Sequence, residues 1–194
     1  MKLLVATRNA GKVAELARLL EEHELVSVPP DLPEIDETGS TFAANALLKA
    51  RGYAAEVGLP TLADDSGLEV DALEGAPGIH SARYAGRHGD DAANNAKLLH
   101  ALAEVEDDAR TARFRCALAF FDPTDGTEHV EHGVIEGVIL RSARGEGGFG
   151  YDPLFLPRGE SRTTAEMPAD EKNAISHRAD AVRKMRRFLG TREG

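Results

Sequence analysis

The sequence predicts an α/β protein, with an elongated mixed β-sheet and flanking helices that form two lobes around a central substrate cleft. In the first half of the chain, short apolar segments alternate with segments whose apolar residues recur at helical spacing. In the second half, two strand-like segments flank the turn DPTDG at 122–126 and predict an antiparallel hairpin. Because 194 residues suit one domain with a sizeable core, residues 1–194 are predicted to form a single two-lobed domain.

The elements of the first half are separated by turn and capping residues. Thr41 or Ser40 can cap the second helix, and Gly58 can end it. The segment 26–39 is rich in proline and acidic residues, which predicts a loop with room for one short strand. The predicted elements are a strand over 2–6, helices over 10–23 and 42–57, and a buried strand over 60–63.

The second half contains a long glycine-punctuated loop over 74–89, the hairpin and a closing helix. The predicted elements are a half-exposed strand over 68–73, a helix over 90–105, hairpin strands over 112–121 and 128–140, and a helix over 171–190. The closing helix presents an apolar stripe made of Ile175, Ala179, Val182, Met185 and Leu189.

The composition excludes several classes of protein. Acidic residues number 33 against 23 basic residues, for a formal net charge of -10, which argues against a main role in binding nucleic acid. No signal peptide and no apolar stretch of membrane-spanning length is present, so a cytoplasmic protein without a membrane partner is expected. The single cysteine, Cys116, lies in an apolar run and is expected to be a small buried side chain rather than a nucleophile.

The segment ATRNAGKV at 6–13 joins the first strand to the first helix. Amide groups at a helix N-terminus favour anions, and Lys12 adds a full positive charge. The segment is not a Walker P-loop, because Ala6 replaces the first glycine and Val13 follows the lysine. A phosphate site and an ordinary turn are both compatible with this pattern.

Two adjacent aspartates, Asp64 and Asp65, follow the apolar segment at 60–63. They repel each other, and neither favours a strand. Either they lie on a solvated turn, or they line a ligand crevice at the carboxyl end of a buried strand. There one carboxylate can hold Mg²⁺, and one can orient or deprotonate a water molecule. The acidic loop at 34–37 can supply a further oxygen.

The segment GEGGFG at 145–150 matches a dinucleotide-binding pattern, but prolines follow it at positions where a helix would have to begin. The glycines are expected to permit a tight bend or a close backbone approach to a ligand. Phe149 or Tyr151 can then stack on a base, or both rings can pack in the core. In the closing helix, Lys172, Ser176 and Arg178 can surround a ligand or form a solvated basic face.

Histidines at 129 and 132 lie three residues apart on a predicted strand. Their side chains would point to opposite faces, so a shared metal is not expected there.

Five ordered segments resemble the inosine triphosphate pyrophosphatase family, whose bacterial members are dITP/XTP pyrophosphatases. They are ATRNAGKVAEL, DETGSTFAANALLKA, LADDSGLEVDALEGAPGIHSARYAG, GGFGYDPLF and EKNAISHRADA. The resemblance covers nearly the whole chain. It implies a homodimer that hydrolyses non-canonical purine nucleoside triphosphates (ITP, dITP and XTP) with Mg²⁺. Cleavage between the α and β phosphates would give the monophosphate and pyrophosphate.

The resemblance also implies roles for individual residues. Asp65 would be the general base and a metal ligand, with Glu37 as a second metal ligand, and whether Asp64 binds metal stays open. The residues implied to bind substrate are Thr7, Arg8, Asn9, Ala10, Gly11 and Lys12 at the triphosphate, Ser66 at an unspecified part of the substrate, Phe149, Gly150, Tyr151 and Asp152 around base and sugar, and Lys172, His177 and Arg178 at base and phosphates. No side-chain role is assigned to Arg8.

Donors such as Arg178 or backbone N–H groups facing the purine 6-position would favour a keto oxygen and reject adenine, and a donor facing the 2-position would repel guanine. Two alternatives remain open at this point. One is a pyrophosphatase for other modified nucleotides, as in the Maf-like proteins, and the other is a nucleotide- or RNA-binding module without turnover. The net charge and the aspartate pair oppose a binding module.

Overall fold

A computed structural model describes residues 1–192 of the chain. The strands are β1 (Lys2–Val5), β2 (Glu24–Ser27), β3 (Thr61–Val70), β4 (Thr111–Phe121), β5 (Glu128–Ile139) and β6 (Phe155–Pro157). The α-helices are α1 (Ala10–Leu19), α2 (Phe42–Val57), α3 (Asp91–Ala101), α4 (Ala169–Ile175) and α5 (His177–Gly190). Short 3₁₀ helices cover Asp71–Leu73, Gly78–Arg83 and Asp107–Ala109.

The strands form one six-stranded sheet in the order β2-β1-β3-β4-β5-β6. β1 runs parallel to both β2 and β3, whereas β5 and β6 are antiparallel. The predicted mixed α/β fold is therefore confirmed. The neighbouring strands β4 and β5 flank the predicted turn, so the hairpin is confirmed as well.

The chain divides into two compact units. Within the described residues, the first contains 1–65, 116–133 and 178–192, and the second contains 66–115 and 134–177. Strands β3, β4 and β5 contribute residues to both units. The predicted cleft and the single-domain organisation stay predictions.

The first unit has a separate apolar core on each face of its part of the sheet. On β1, Leu3 and Val5 belong to one core, while Leu4 and the following residue Ala6 belong to the other, as the period of two in a strand requires. Helices α1 and α5 cover the first face through Leu16, Val182, Met185 and Leu189, among others. Helix α2 covers the second face through Ala46, Ala50 and Tyr53.

The second unit has one main core in which α3 packs on the sheet. Its buried members are Leu68, Val70, Leu98, Leu102, Ala112, Phe114, Ile139, Tyr151, Leu154 and Phe155. Phe114 and Phe155 meet edge to face, with ring centroids 4.7 Å apart, a favourable aromatic geometry. None of the helices in the described part of the chain combines the length and apolar composition that a membrane span requires.

Local signals placed α2 correctly, but several other predicted boundaries were wrong, among them the ends of the first and third helices, which lie at Leu19 and Ala101 and not at 23 and 105. The Thr41 side chain accepts a hydrogen bond from the N–H of Ala44, and Gly58 ends α2 in the left-handed conformation at φ 73°. The predicted strands over 60–63 and 68–73 are one continuous strand, β3, that runs through the aspartate pair. The predicted closing helix is broken at Ser176, whose backbone is extended, and this separates α4 from α5.

Candidate active site

The aspartate pair lies past the carboxyl end of a parallel strand. β1 ends at Val5, which pairs with Leu62 of β3. Asp64 and Asp65 therefore extend beyond β1 although they lie inside β3. The expectation of a strand ending at this pair was wrong, but the position is still one where open α/β sheets bind ligands.

The two aspartates face opposite sides of the sheet. Leu62 belongs to the core beneath α1 and α5, and Ala63 belongs to the core beneath α2. Side chains two positions apart on a strand point to the same face of the sheet. Asp64 therefore lies on the face of Leu62, and Asp65 lies on the face of Ala63. The two carboxylates therefore have different environments, which the sequence did not reveal.

Asp64 is the centre of a buried ionic cluster on the α1 and α5 side. Its side chain is fully buried and pairs with the Lys12 ammonium and with Nε of Arg178, the latter at 3.1 Å. Arg178 also pairs with Glu15 and is only 1% exposed. Two carboxylates and two cations balance within this cluster, as buried charges require. Asp64 thus fixes the ammonium of Lys12.

The cluster keeps Asp64 ionised and Cys116 protonated. Burial opposes ionisation, but Arg178 and then Lys12 hold the pKa of Asp64 well below its usual value. Sγ of Cys116 donates a hydrogen bond to Asp64 Oδ2 at 3.0 Å. Burial, and then the charge of Asp64, raise the pKa of this thiol well above its usual value. Cys116 is buried as expected, and it also serves as a hydrogen-bond donor.

Asp65 lies beside a second cation, Lys49 of α2. The Lys49 ammonium donates to Glu37 Oε1 and to the backbone carbonyl of Asp64, both at 2.7 Å. It lies 3.8 Å from Oδ1 of Asp65. Burial raises the pKa of the Asp65 carboxyl, and the charge of Lys49 opposes this increase only in part. A raised carboxyl pKa is favourable for a group that must accept a proton near neutral pH.

Sequence reasoning missed both Lys49 and Glu15. Lys49 lies inside the family-like segment DETGSTFAANALLKA, but a lone lysine in an amphipathic helix is usually a solvated side chain. Its partners Glu37 and Asp65 are 12 and 16 positions away in the sequence, beyond the reach of any helical spacing. The signal available for Glu15 was its position on the buried side of α1, next to the core residue Leu16.

The carboxylates around Lys49 fit a magnesium ion. Oδ2 of Asp65 is buried and has no hydrogen-bond partner within residues 1–192. Leaving such an oxygen unpaired is unfavourable, so its position suggests a ligand. Mg²⁺ uses one or two carboxylates together with water and phosphate oxygens. The described residues contain no group of three or more metal-binding side chains, and two carboxylates suffice for this ion.

The predicted anion segment starts α1. Asn9 caps the helix by accepting from the N–H of Lys12 at 3.0 Å, and its own N–H donates to Oγ1 of Thr7 at 3.2 Å. Arg8 is exposed and donates to the backbone carbonyls of Pro29 and Leu32. The side chains of Thr7 and Asn9 thus order the turn before Ala10 and Gly11, the first helical residues.

A further group of predicted residues meets in the second unit. Asp152 is 4% exposed and accepts from the Lys172 ammonium at 2.6 Å and from the N–H of Phe149 at 2.9 Å. Oγ1 of Thr164 donates to its second oxygen at 2.8 Å. The Lys172 ammonium lies 4.8 Å from the centroid of the half-buried Phe149 ring. Asp152 therefore orders the loop and the lysine around this ring.

Two predicted ligand residues lie in the core of the second unit. Tyr151 is 3% exposed and its hydroxyl donates to the Ser81 carbonyl at 2.8 Å, so the alternative of core packing applies to this ring. Burial raises its pKa well above the usual value. His177 is 7% exposed and stacks on Phe114 at 5.0 Å between ring centroids. Ser66 is half-buried on β3.

The sequence of the chain matches a known protein family and several curated proteins. A profile of the Ham1 family matches residues 3–188. The chain belongs to the Ham1 family. Two curated relatives carry the name dITP/XTP pyrophosphatase. The Streptomyces coelicolor protein is 54% identical over 188 residues, covering 94% of each chain, and the Salmonella typhi protein is 52% identical over 186 residues, again covering 94% of each. The resemblance inferred from the five segments is thereby confirmed.

Solved Ham1 structures share the fold. The Ham1 protein of Staphylococcus aureus superposes with a TM-score of 0.88 at 37% identity, covering 99% of this chain and 100% of that one. The HAM1 protein of Coxiella burnetii gives a TM-score of 0.87 at 44% identity, covering 98% of this chain and 99% of that one.

Proposed function

We propose that this Ham1-family member hydrolyses non-canonical purine nucleoside triphosphates (ITP, dITP and XTP) to the monophosphate and pyrophosphate, and so cleanses the nucleotide pool. The relatives named dITP/XTP pyrophosphatase support the substrate class. The observation that carries the chemistry is the buried and unpartnered oxygen of Asp65 beside Lys49 and Glu37. A binding module that holds no metal would keep this carboxylate oxygen buried without a hydrogen-bond partner among residues 1–192, which is unfavourable.

The first unit would bind the triphosphate and the metal. The amide groups at the start of α1 and the ammonium of Lys12, oriented by Asp64, are suited to phosphate oxygens. Asp65 and Glu37 would hold Mg²⁺, which when bound neutralises phosphate charge and polarises phosphoryl oxygens. Lys49 already lies beside both carboxylates and would keep that position on the α2 side.

Asp65 would accept the proton of the attacking water. The water oxygen forms a bond to the α phosphorus, the bond from this phosphorus to the bridging oxygen breaks, and pyrophosphate leaves with the bonding electrons. The proton moves from the water to a carboxylate oxygen of Asp65, whose raised pKa favours proton acceptance. Asp64 is not assigned as a metal ligand, since Lys12, Arg178 and Cys116 already contact its oxygens.

Phe149, Lys172 and Arg178 are the residues proposed to contact the base. Phe149 offers a ring for stacking on a purine, with the Lys172 ammonium beside it. Arg178 remains a proposed contact for the keto oxygen of the base. Its pairing with Asp64 and Glu15 also supports a role in holding Asp64.

The deciding experiment measures pyrophosphate and orthophosphate separately, with ITP, XTP, GTP and ATP as substrates in the presence of Mg²⁺. The proposal requires rapid pyrophosphate release from ITP and XTP, little from GTP or ATP, and loss of release in Asp65→Asn and after chelation with EDTA. Orthophosphate as the product would move the cut to the γ phosphate and refute the placement of the water. Equal turnover of GTP and ITP would refute the proposed base selectivity.

The quaternary state and location are proposed from the family resemblance as a cytoplasmic homodimer. Light scattering of the purified chain would give a mass near twice 20.8 kDa if the proposal is correct. A mass of one chain over the assay concentrations would refute the dimer.

A further inference from the structure

Helix α3 holds both polar backbone groups of Gly150. The N–H of Gly150 donates to Oδ2 of Asp91 at 2.7 Å, and Nδ2 of Asn95 donates to the Gly150 carbonyl at 2.8 Å. Asp91 and Asn95 are four residues apart on α3, so they lie on one face of the helix. One helix face therefore clamps a single residue of the glycine-rich loop.

The preceding residue of the loop, Phe149, is held by a different partner. The N–H of Phe149 donates to Asp152, which also accepts from Lys172. Together with the two bonds from α3, this gives three hydrogen bonds from side chains to the backbone of Phe149 and Gly150. Gly150 has a φ of 63°, a conformation that glycine adopts readily and that is disfavoured for other residues. The three bonds set the direction in which the Phe149 ring leaves the backbone.

The side chain of Asn95 supports a specific role for this contact. Its Oδ1 is buried and has no hydrogen-bond partner in the part of the chain that the structure describes. An unpaired buried acceptor is unfavourable. The amide is therefore held in its orientation by the bond to Gly150, and not by a network that satisfies both of its ends.

We propose that Asp91 and Asn95 are positioning residues for nucleotide binding, which act by holding Gly150 and thereby the Phe149 ring. This inference rests on the proposed function, because it assigns the ring to the base of the substrate. Both residues lie outside the five family-like segments, and the sequence offered no reason to choose them. They do not touch the substrate in this proposal and contribute through the loop alone.

The test compares KM and kcat for ITP in four variants. Asp91→Ala removes the acceptor for the Gly150 N–H, and Asn95→Asp turns a carboxylate oxygen toward the Gly150 carbonyl. Asp91→Asn keeps an oxygen that can accept the same bond. Asp90→Ala is the matched control, because Asp90 caps α3 through the N–H of Ala93 and so destabilises the helix without removing a bond to Gly150.

Asp91→Ala and Asn95→Asp are expected to raise KM about 3- to 10-fold with kcat nearly unchanged. This pattern is expected when a change weakens the binding of the substrate and of the transition state equally. Asp91→Asn is expected to stay within about twofold of wild type, since the hydrogen bond is retained. Hydrogen exchange at the Gly150 amide should accelerate in Asp91→Ala and not in Asp90→Ala. Asp91 is exposed, so its variants are expected to fold.

The outcomes separate the two proposals. If the wild type is active and KM is unchanged in Asp91→Ala, or rises equally in Asp90→Ala, the positioning role of Asp91 and Asn95 is refuted. The proposed function is then left intact. If the wild type releases no pyrophosphate from ITP, XTP, GTP or ATP, the proposed function is refuted. The role of Asp91 and Asn95 in binding that substrate is then refuted as well.

Discussion

Exchanging each of the adjacent aspartates for asparagine is expected to lower stability at Asp64 and not at Asp65. Asp64→Asn leaves the Arg178 guanidinium, 1% exposed, and the Lys12 ammonium without a charged partner at that position. Removing one member of a buried ion pair costs about 3–5 kcal/mol. In a chain of this size, 1 kcal/mol lowers Tm by about 2–4 °C, so a decrease of roughly 6–20 °C is expected.

Asp65→Asn is expected to abolish hydrolysis without lowering Tm. Burial raises the pKa of Asp65, so ionisation of this carboxyl at neutral pH opposes folding. The asparagine removes that buried charge, while Lys49 keeps its hydrogen bond to Glu37. Loss of activity with unchanged or increased stability is the pattern of a group retained for function.

The assay is thermal and urea unfolding of both variants, with pyrophosphate release measured in parallel. The pKa of Asp64 is lowered in the folded protein, so its stabilising contribution is complete above the unfolded pKa of about 3.9 and is lost as the pH falls through the folded value. The stability difference between wild type and Asp64→Asn should therefore be constant near neutral pH and shrink below about pH 4. Equal loss of stability in both variants would refute the separate environments of the two carboxylates.

Three further substitutions or reactions test other parts of the structure. Gly39→Ala would place a Cβ 2.7 Å from Oδ1 of Asn45, so the acidic loop must shift, and kcat for ITP should fall with little change in the far-UV circular dichroism spectrum. Gly148→Ala would bring its Cβ onto Oδ2 of Asp152 at a φ of 72°, so both a lower Tm and a higher KM are expected. The buried Cys116 thiol, whose pKa is raised by burial, should react with Ellman's reagent only after unfolding in urea.

The sequence was sufficient where the deciding interactions are local. The capping residues Thr41 and Gly58 act within one helical turn of α2; the sequence predicted the end at Gly58 and a cap at Thr41 or Ser40, of which the structure has Thr41. The turn DPTDG likewise acts between neighbouring strands. Such signals involve contacts a few positions apart, which a pattern along the chain can contain.

The sequence was insufficient where the partners are distant. Arg178 meets Asp64 across 114 positions and Glu15 across 163. No local pattern distinguishes such residues from a solvated charged face. The predicted end of the strand at 63 failed for the same reason, because the low strand propensity of aspartate is offset by buried cations that arrive from remote helices.

The alternation of side chains along β3 explains how one strand can carry two neighbouring carboxylates with different roles. Like charges next to each other in the sequence would repel, but successive side chains of a strand leave from opposite faces. Asp64 therefore meets Lys12 and Arg178 on one face, while Asp65 meets Lys49 on the other. Each face of the sheet supplies its own cation. Asp65, which has fewer hydrogen bonds among the described residues, can therefore lie next to Asp64, whose ion pairs stabilise the fold. The Asp65 oxygen that has no hydrogen-bond partner within residues 1–192 therefore lies one residue from Asp64, which ties the same strand to Arg178 of α5.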